Sequence, residues 1–197
     1  MATHHAITAV ADALVQVLES RFSPQDFNNN TLEFKVYLAS DFATPMDAGV
    51  SIFLYRIYVN HNHRNPAGRI DVNGRRFRPQ LPLDLYFLLT AWAKDASLQH
   101  TIAGWMMRVL EDMPSLPAGL LNHRGVEIFQ PDETVELSTA ELETETLFRI
   151  WEVIVNNAYQ ISIPYVARNV KVESDVSSGF GDPVQRREFD GRSLVRA

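Results

Sequence analysis

The chain has 197 residues, of which 46% are hydrophobic, and this length and composition indicate one globular domain with a sizeable core. No apolar run approaches the roughly 20 residues that span a bilayer, and the N-terminus lacks the basic region of a signal peptide. The absence of cysteine excludes disulfides and thiolate metal sites, and the net charge of −6 argues against nucleic acid as a partner.

The first part of the chain predicts one helix and two strands. Over residues 4–21, apolar side chains recur at the three- and four-residue spacing of a helix with one buried face. Residues 34–38 alternate in the manner of a strand, and residues 42–49 are predicted to be a loop because they contain proline and glycine. Residues 50–59 start apolar on both faces, which predicts a central strand.

The middle of the chain predicts a third strand and a second helix. Residues 83–89 place leucine or phenylalanine at every second position after two prolines, which favours a strand over the alternative of a buried helix. From residue 98 to residue 113 the apolar positions follow one helical face, and prolines then end the pattern. Residues 126–129 and 135–137 are candidates for short strands.

A last helix and a long last strand complete the predicted elements. Ser138, with Glu141 three residues later, has the pattern of a capping box, which predicts that a helix begins there. The buried stripe of this helix comprises Leu147, Ile150, Trp151 and Ile154. Residues 159–172 are predicted to be a strand, and Pro164 within it predicts an edge position or a bulge because proline donates no ladder hydrogen bond.

Together these elements predict an α/β protein of the α+β kind, with a mixed, mainly antiparallel sheet flanked by about three helices. Residues 1–173 form the predicted globular domain. Residues 174–197 are polar and rich in turn residues, so we predict an extended or disordered C-terminal arm. The arm keeps a few apolar side chains, and it either stays loose or becomes ordered against a neighbouring molecule.

The charges are distributed unevenly along the chain. Between residues 56 and 78 there are six arginines and a single acid, Asp71. Arginine is favoured where planar or stacked contacts matter, as at protein interfaces, although a genomic bias towards arginine codons is an alternative. Residues 132–145 contain six acids and no base, which predicts either a solvated face around a helix N-terminus or an electrostatic docking face.

No motif in the chain predicts catalysis. His61 and His63 would share one face of a strand, but no third metal ligand accompanies them, and a solvated loop is the simpler interpretation. Gly179-Phe180-Gly181 lacks the third glycine and the following helix of a phosphate-binding loop. We therefore expect no catalytic residue, no metal and no cofactor, and a protein that is not an enzyme.

The order of several segments resembles that in a known family. An opening amphipathic helix is followed by SIFLYRIYVN, by the pair Arg64-Asn65 and by PLDLYFLLTAW. A helix with Gly104 follows, and then the segments LFRIWEVI, YQISIPYVARNV and GDPVQRR. Over nearly its whole length the chain resembles the cap, or tail-terminator, proteins of phage-tail-like contractile injection systems, of which the antifeeding prophage and the Photorhabdus virulence cassette particles are known types.

The resemblance implies a tail-terminator-like fold and a structural function. Such proteins form a six-fold ring on the end of the inner tube distal to the baseplate, where they stop tube growth, bind the last sheath ring and fix particle length. The implied partners are therefore five further copies in a homo-hexamer, the inner tube protein and the sheath protein. The implied location is the cytoplasm of the producing bacterium, within a particle that is either released or membrane-anchored, without direct membrane insertion.

We expect the interfaces to lie in the 64–78 loop and in the 174–197 arm. The candidate interface residues are Arg64, Arg69, Arg75, Arg76, Arg78, Val184, Arg186, Arg187 and Phe189. Three alternatives stay open: another tube or baseplate component, a small soluble enzyme or ligand-binding domain, and a DNA-binding neck-like role. The second would need a pocket with convergent polar groups, and the sequence indicates none.

Overall fold

The structure is a computed structural model that describes residues 4–63, 68, 70, 74–122, 127–154 and 159–177. Its helices and strands, in chain order, are α1 (Ala6–Arg21), β1 (Glu33–Tyr37), β2 (Gly49–Val59), β3 (Leu81–Trp92), α2 (Ala96–Glu111), β4 (Ser115–Pro117), α3 (Ala118–Leu121), β5 (Thr134–Thr139), α4 (Thr144–Ile154) and β6 (Ser162–Val172). Short 3-10 helices occur at Pro24–Phe27, Ala39–Ala43 and His61–His63.

The strands in these ranges form one six-stranded sheet in the order β1-β2-β3-β6-β5-β4. The β1–β2 pair is parallel, and the other four pairs are antiparallel. The predicted mixed, mainly antiparallel α+β fold is therefore confirmed. Residues 83–89 lie in β3, which is buried along most of its length at the centre of the sheet, so the choice of strand over helix is also confirmed.

Three helices cover the first face of the sheet. The side chains of β3 alternate between the two faces of the sheet. Those of Leu85, Phe87 and Leu89 lie on the first face and are fully buried against the helices. Leu14 of α1 and Met106 of α2 belong to the same core cluster. This arrangement explains why the period-two pattern of the strands and the 3.6-residue pattern of the helices were both visible in the sequence.

A smaller aromatic cluster covers one end of the second face. Trp92 at the end of β3 packs against Phe42 and against Trp151 of α4, with ring centroids 5.9 and 6.1 Å apart. The Trp92 indole N–H donates a hydrogen bond to the buried Ser51 hydroxyl at 2.8 Å. Helix α4 therefore lies across this end of the second face and closes it.

Two sequence predictions in the 126–141 region are wrong. Ser138 does not cap a helix, because it lies in β5 opposite Val166 of β6, and α4 begins only at Thr144. The described residues of the candidate strand 126–129 form no strand. Instead, the Asn122 side chain accepts hydrogen bonds from the backbone N–H groups of Ile128 and Phe129, both at 2.9 Å, and so replaces a strand partner.

Pro164 occupies neither an edge strand nor a bulge, contrary to the prediction. It lies opposite Leu88 in β6, an interior strand. Its carbonyl accepts a hydrogen bond from the N–H of Ala140, directly after β5 ends. Since the described part of β5 does not extend past this point, the missing N–H of Pro164 removes no hydrogen bond from the β5–β6 ladder. The bulge of β6 lies further on, where the register with β3 shifts and Asn169 has a φ of 56°.

Candidate interface

The arginine-rich loop and the start of the predicted arm lie side by side. The N–H of Arg78 donates to the carbonyl of Val176 at 3.0 Å, and Phe77 pairs with Ser177 in an antiparallel bridge. This pairing continues the β3–β6 ladder past its regular end, which is Leu81 opposite Val172. Two candidate segments that are far apart in sequence therefore meet at one end of the sheet.

The described part of the loop is a narrow excursion that exposes its cations. Ile70 pairs with Arg76 in an antiparallel bridge, and Gly74, two residues before Arg76, has a φ of 77°. A Cβ atom at position 68 would lie 2.3 Å from the carbonyl oxygen of Phe77, so the close approach of the two backbones requires Gly68. The side chains of the three described arginines in the candidate set, Arg75, Arg76 and Arg78, are exposed here.

The other candidate interface residues lie outside the described residues. They are Arg64, Arg69, Val184, Arg186, Arg187 and Phe189. The division of the chain at residue 173 also stays a prediction, since only residues 174–177 of the arm are described. The histidines at 61 and 63 belong to a short 3-10 helix, so the strand geometry considered for them is wrong. Among the described residues, no three metal-ligating side chains come together.

A buried carboxylate fixes the base of this end of the sheet. Asp84 on β3 accepts two hydrogen bonds from the Asn60 side-chain amide, at 3.0 and 3.2 Å, just after β2 ends. It also accepts the backbone N–H of Asn169 at 2.9 Å, within the bulge of β6. One side chain of the central strand therefore holds both neighbouring strands where they bend.

A cluster of three tyrosines surrounds Arg56, and the sequence pattern alone did not predict it. The guanidinium carbon of Arg56 lies 4.3 Å from the Tyr86 ring centroid and 4.5 Å from that of Tyr58, distances typical of cation–π contacts. The register between β2 and β3 shifts between Leu54 and Arg56, which places Arg56 directly opposite Tyr86. The run Tyr55-Arg56-Ile57-Tyr58 was visible in the sequence, but its position against Tyr86 depends on this bulge.

Part of this tyrosine–arginine cluster is withdrawn from water. Both Arg56 Nε and the Tyr55 hydroxyl oxygen are buried, and neither has a hydrogen-bond partner among the described residues. Burial raises the pKa of Tyr55 above its ordinary value, because the phenolate form would lose its hydration. Tyr55 therefore remains neutral at physiological pH, and Arg56 supplies the charge of the cluster.

The last three acids of the acidic segment lie partly in a helix and partly in a loop. Glu145 lies in the first turn of α4 and forms an ion pair with Arg149 one turn later, at 2.6 Å. Glu141 and Glu143 precede the helix in an irregular connection, and both are exposed. Neither of these two has an ion pair or a hydrogen bond to its side chain within the described part of the chain, so their carboxylates are available to another molecule.

Two solved structures share this tail-terminator-like fold. The sheath/tube terminator of the PVC extracellular contractile injection system, in its extended state, superposes with a TM-score of 0.62 over 97% of this chain at 18% identity. The tube-terminating cap of the anti-feeding prophage superposes with a TM-score of 0.59 over 91% of this chain at 16% identity. This chain covers 65% and 59% of those two chains, less than two thirds of their length.

The sequence identifies the family within this fold. The sequence model of the Pvc16 N-terminal domain matches residues 9–186, and the chain therefore belongs to the Pvc16 N-terminal domain family. Among curated proteins, none matches this chain significantly in sequence. Of the helices in the described ranges, none has the length and apolar character needed to cross a membrane.

Proposed function

We propose that this protein is a structural cap subunit that terminates the inner tube and sheath of a contractile injection particle. The observation that carries the proposal is the fold, which superposes on a sheath/tube terminator over 97% of the chain. Membership of the Pvc16 N-terminal domain family supports the same conclusion. In this role the chain binds its neighbours and catalyses no reaction.

The finer features of this role belong to the same proposal. The cap sits on the tube end distal to the baseplate as a homo-hexameric ring, contacts the tube and sheath proteins, and fixes particle length. A closed ring needs two unlike surfaces on each subunit, related by a rotation that closes. The exposed acids around Glu143 provide one such surface, and the exposed arginines around Arg76 provide a contact to the tube or the sheath. The subunit is made in the bacterial cytoplasm and joins the particle there.

Electron microscopy of particles from cells with and without this gene tests the proposal. We expect loss of the gene to give long, ragged or sheathless tubes, because nothing then stops tube growth or holds the last sheath ring. Particles of unchanged length with an intact sheath would contradict capping. Labelling of the chain along the whole tube, instead of once at one end, would indicate a tube component.

A charge reversal at the loop tests the predicted interface. We expect the variant carrying Arg75→Glu, Arg76→Glu and Arg78→Glu to fold normally, since exposed substitutions usually change stability by no more than about 0.5 kcal/mol. The same variant should fail to cap tubes. Arg108→Glu on α2 is a control, because it reverses an exposed arginine in another part of the fold. Normal-length particles from the loop variant would rule out this interface and leave the capping role standing.

A further inference from the structure

The outer edge of β2 is only partly covered. Strand β1 pairs with β2 from Gly49 to Phe53, and no described strand pairs with the outer edge of β2 beyond that point. Ile57 and Tyr58, in this uncovered stretch, have 44% and 52% of their surface exposed. An uncovered strand edge with apolar side chains is a place where another chain can dock.

Arg56 stands at this edge with its charge unpaired. Within the described residues its side chain forms no ion pair and no hydrogen bond, and its guanidinium contacts the three tyrosine rings. The carboxylate of Asp84, on the neighbouring strand β3, accepts hydrogen bonds from Asn60 and Asn169 instead. A half-buried guanidinium without an anion is costly to maintain, and a carboxylate in fork-like geometry would neutralise it.

The composition of this site is that of a binding hot spot. Arginine and tyrosine are enriched among the residues that dominate interface energies. The rings of Tyr58 and Tyr86 both contact the guanidinium, so little side-chain entropy remains to be lost when a partner binds. The site therefore fits an acidic protein surface that brings a carboxylate to a rigid cation.

The chain itself carries such an acidic surface on a different part of the sheet. Glu141 and Glu143 follow β5, which is separated from β2 by β3 and β6. Three strand spacings of about 4.8 Å each place β5 roughly 14 Å from β2. The acids and Arg56 form no ion pair within the described part of one molecule, and a head-to-tail arrangement would bring one copy's acids to the next copy's arginine.

We propose that Arg56, held by Tyr58 and Tyr86, anchors a contact between copies of this chain, and that Glu141 and Glu143 of the adjacent copy supply the carboxylates. The inference rests on the proposed function and deepens it, because it names the contact that closes the ring. It uses a surface different from the 64–78 loop, which is left to contact the tube or the sheath.

Self-association of the purified full chain, measured by analytical ultracentrifugation, tests this contact. Arg56→Met keeps much of the length and the ring contacts of the side chain and removes its charge, and we expect it to associate about 30-fold more weakly than the wild type. Arg56→Glu and the double variant Glu141→Arg with Glu143→Arg should each be more strongly impaired. Arg108→Met, which removes an exposed arginine of α2, should associate like the wild type.

The most specific result is expected from mixing the two charge-reversed proteins. In a head-to-tail ring, the glutamate introduced at position 56 of one variant meets the arginines introduced at positions 141 and 143 of the other, while the next contact is wild-type. We therefore expect the mixture to associate although each variant alone does not. Because a misfolded protein could not be rescued in this way, misfolding of the variant at position 56 cannot explain this result.

Three outcomes would overturn the contact. The Arg56→Met protein could associate like the wild type, the mixture of the two charge-reversed proteins could stay dissociated, or the wild-type chain could remain monomeric at every attainable concentration. Particle length provides the separate readout for capping. If gene loss lengthens the tubes but Arg56→Met and the double variant still cap and associate normally, the contact is wrong and the function stands. If gene loss leaves the particles unchanged while the mixing result holds, the contact stands and the function is wrong.

Discussion

The two ends of the second sheet face use similar side chains for different purposes. At one end Trp92 of β3 lies beneath α4, within a cluster that includes Phe42 and Trp151. At the other end Tyr86 of the same strand stacks on Arg56, beside the exposed Tyr58. Coverage by α4, and not residue type, separates the two ends. We infer that the closed end stabilises the fold and that the open end is available to a partner.

Trp151→Ala should give the largest effect on stability. Trp151 is almost fully buried and attaches α4 to the sheet through Phe42 and Trp92. Truncation of a buried tryptophan leaves a cavity and typically costs about 3–5 kcal/mol in the free energy of unfolding. Urea unfolding followed by circular dichroism measures this change.

Trp151→Phe is the matched control for that substitution. Phenylalanine keeps an aromatic ring in the cluster and removes an indole N–H that is buried without a partner among the described residues. Its cost in the free energy of unfolding should be well below that of Trp151→Ala, because it leaves a smaller cavity. A Trp151→Ala protein as stable as the control would show that α4 is not what closes this end of the sheet.

A loss of folding stability at alkaline pH is expected from Tyr165, on the helix-covered face of the sheet. Tyr165 lies on the first face opposite Phe87, and burial raises its pKa to about 12. In the unfolded chain tyrosine ionises near pH 10, so stability is full below about pH 10 and falls as the pH rises towards 12. The loss should reach about 2–3 kcal/mol, at about 1.4 kcal/mol for each pH unit.

Tyr165→Phe isolates this contribution from that of other titrating groups. The Tyr165 hydroxyl has no hydrogen-bond partner among the described residues, so its removal should change stability little at pH 7. Between pH 10 and pH 12 the variant should lose less stability than the wild type in thermal unfolding. Parallel curves for the two proteins over this range would show that Tyr165 is not responsible.

The sequence predicted correctly those helices and strands whose apolar residues repeat with the period of the element itself. The alternation in residues 83–89 is the alternation between the two faces of β3, and the spacing in residues 4–21 is the buried stripe of α1. The capping-box prediction failed for a different reason. Ser138 and Glu141 have the right local spacing, but pairing of Ser138 with Val166 outweighs a local capping preference.

The interface surfaces were harder to predict because they depend on register. The loop and the start of the arm were both suggested by composition, yet their adjacency arises from the long pairing of β3 with β6. The contact of Arg56 with Tyr86 requires a bulge in β2 that shifts the register by one position. Since such a shift moves side chains to the opposite face, period-two reasoning alone could not place Arg56 among the tyrosines.

A small effect on stability is expected from Arg56→Met, at the open end of the sheet. The substitution removes cation–π contacts worth about 0.5–1 kcal/mol at exposed sites. It also removes Nε, which is buried without a described partner, and that change offsets part of the loss. The free energy of unfolding should therefore change by less than about 1 kcal/mol, measured in the same urea titration as Trp151→Ala. A loss comparable to that of Trp151→Ala would mean that Arg56 holds the fold together, and the contrast between the two ends would not stand.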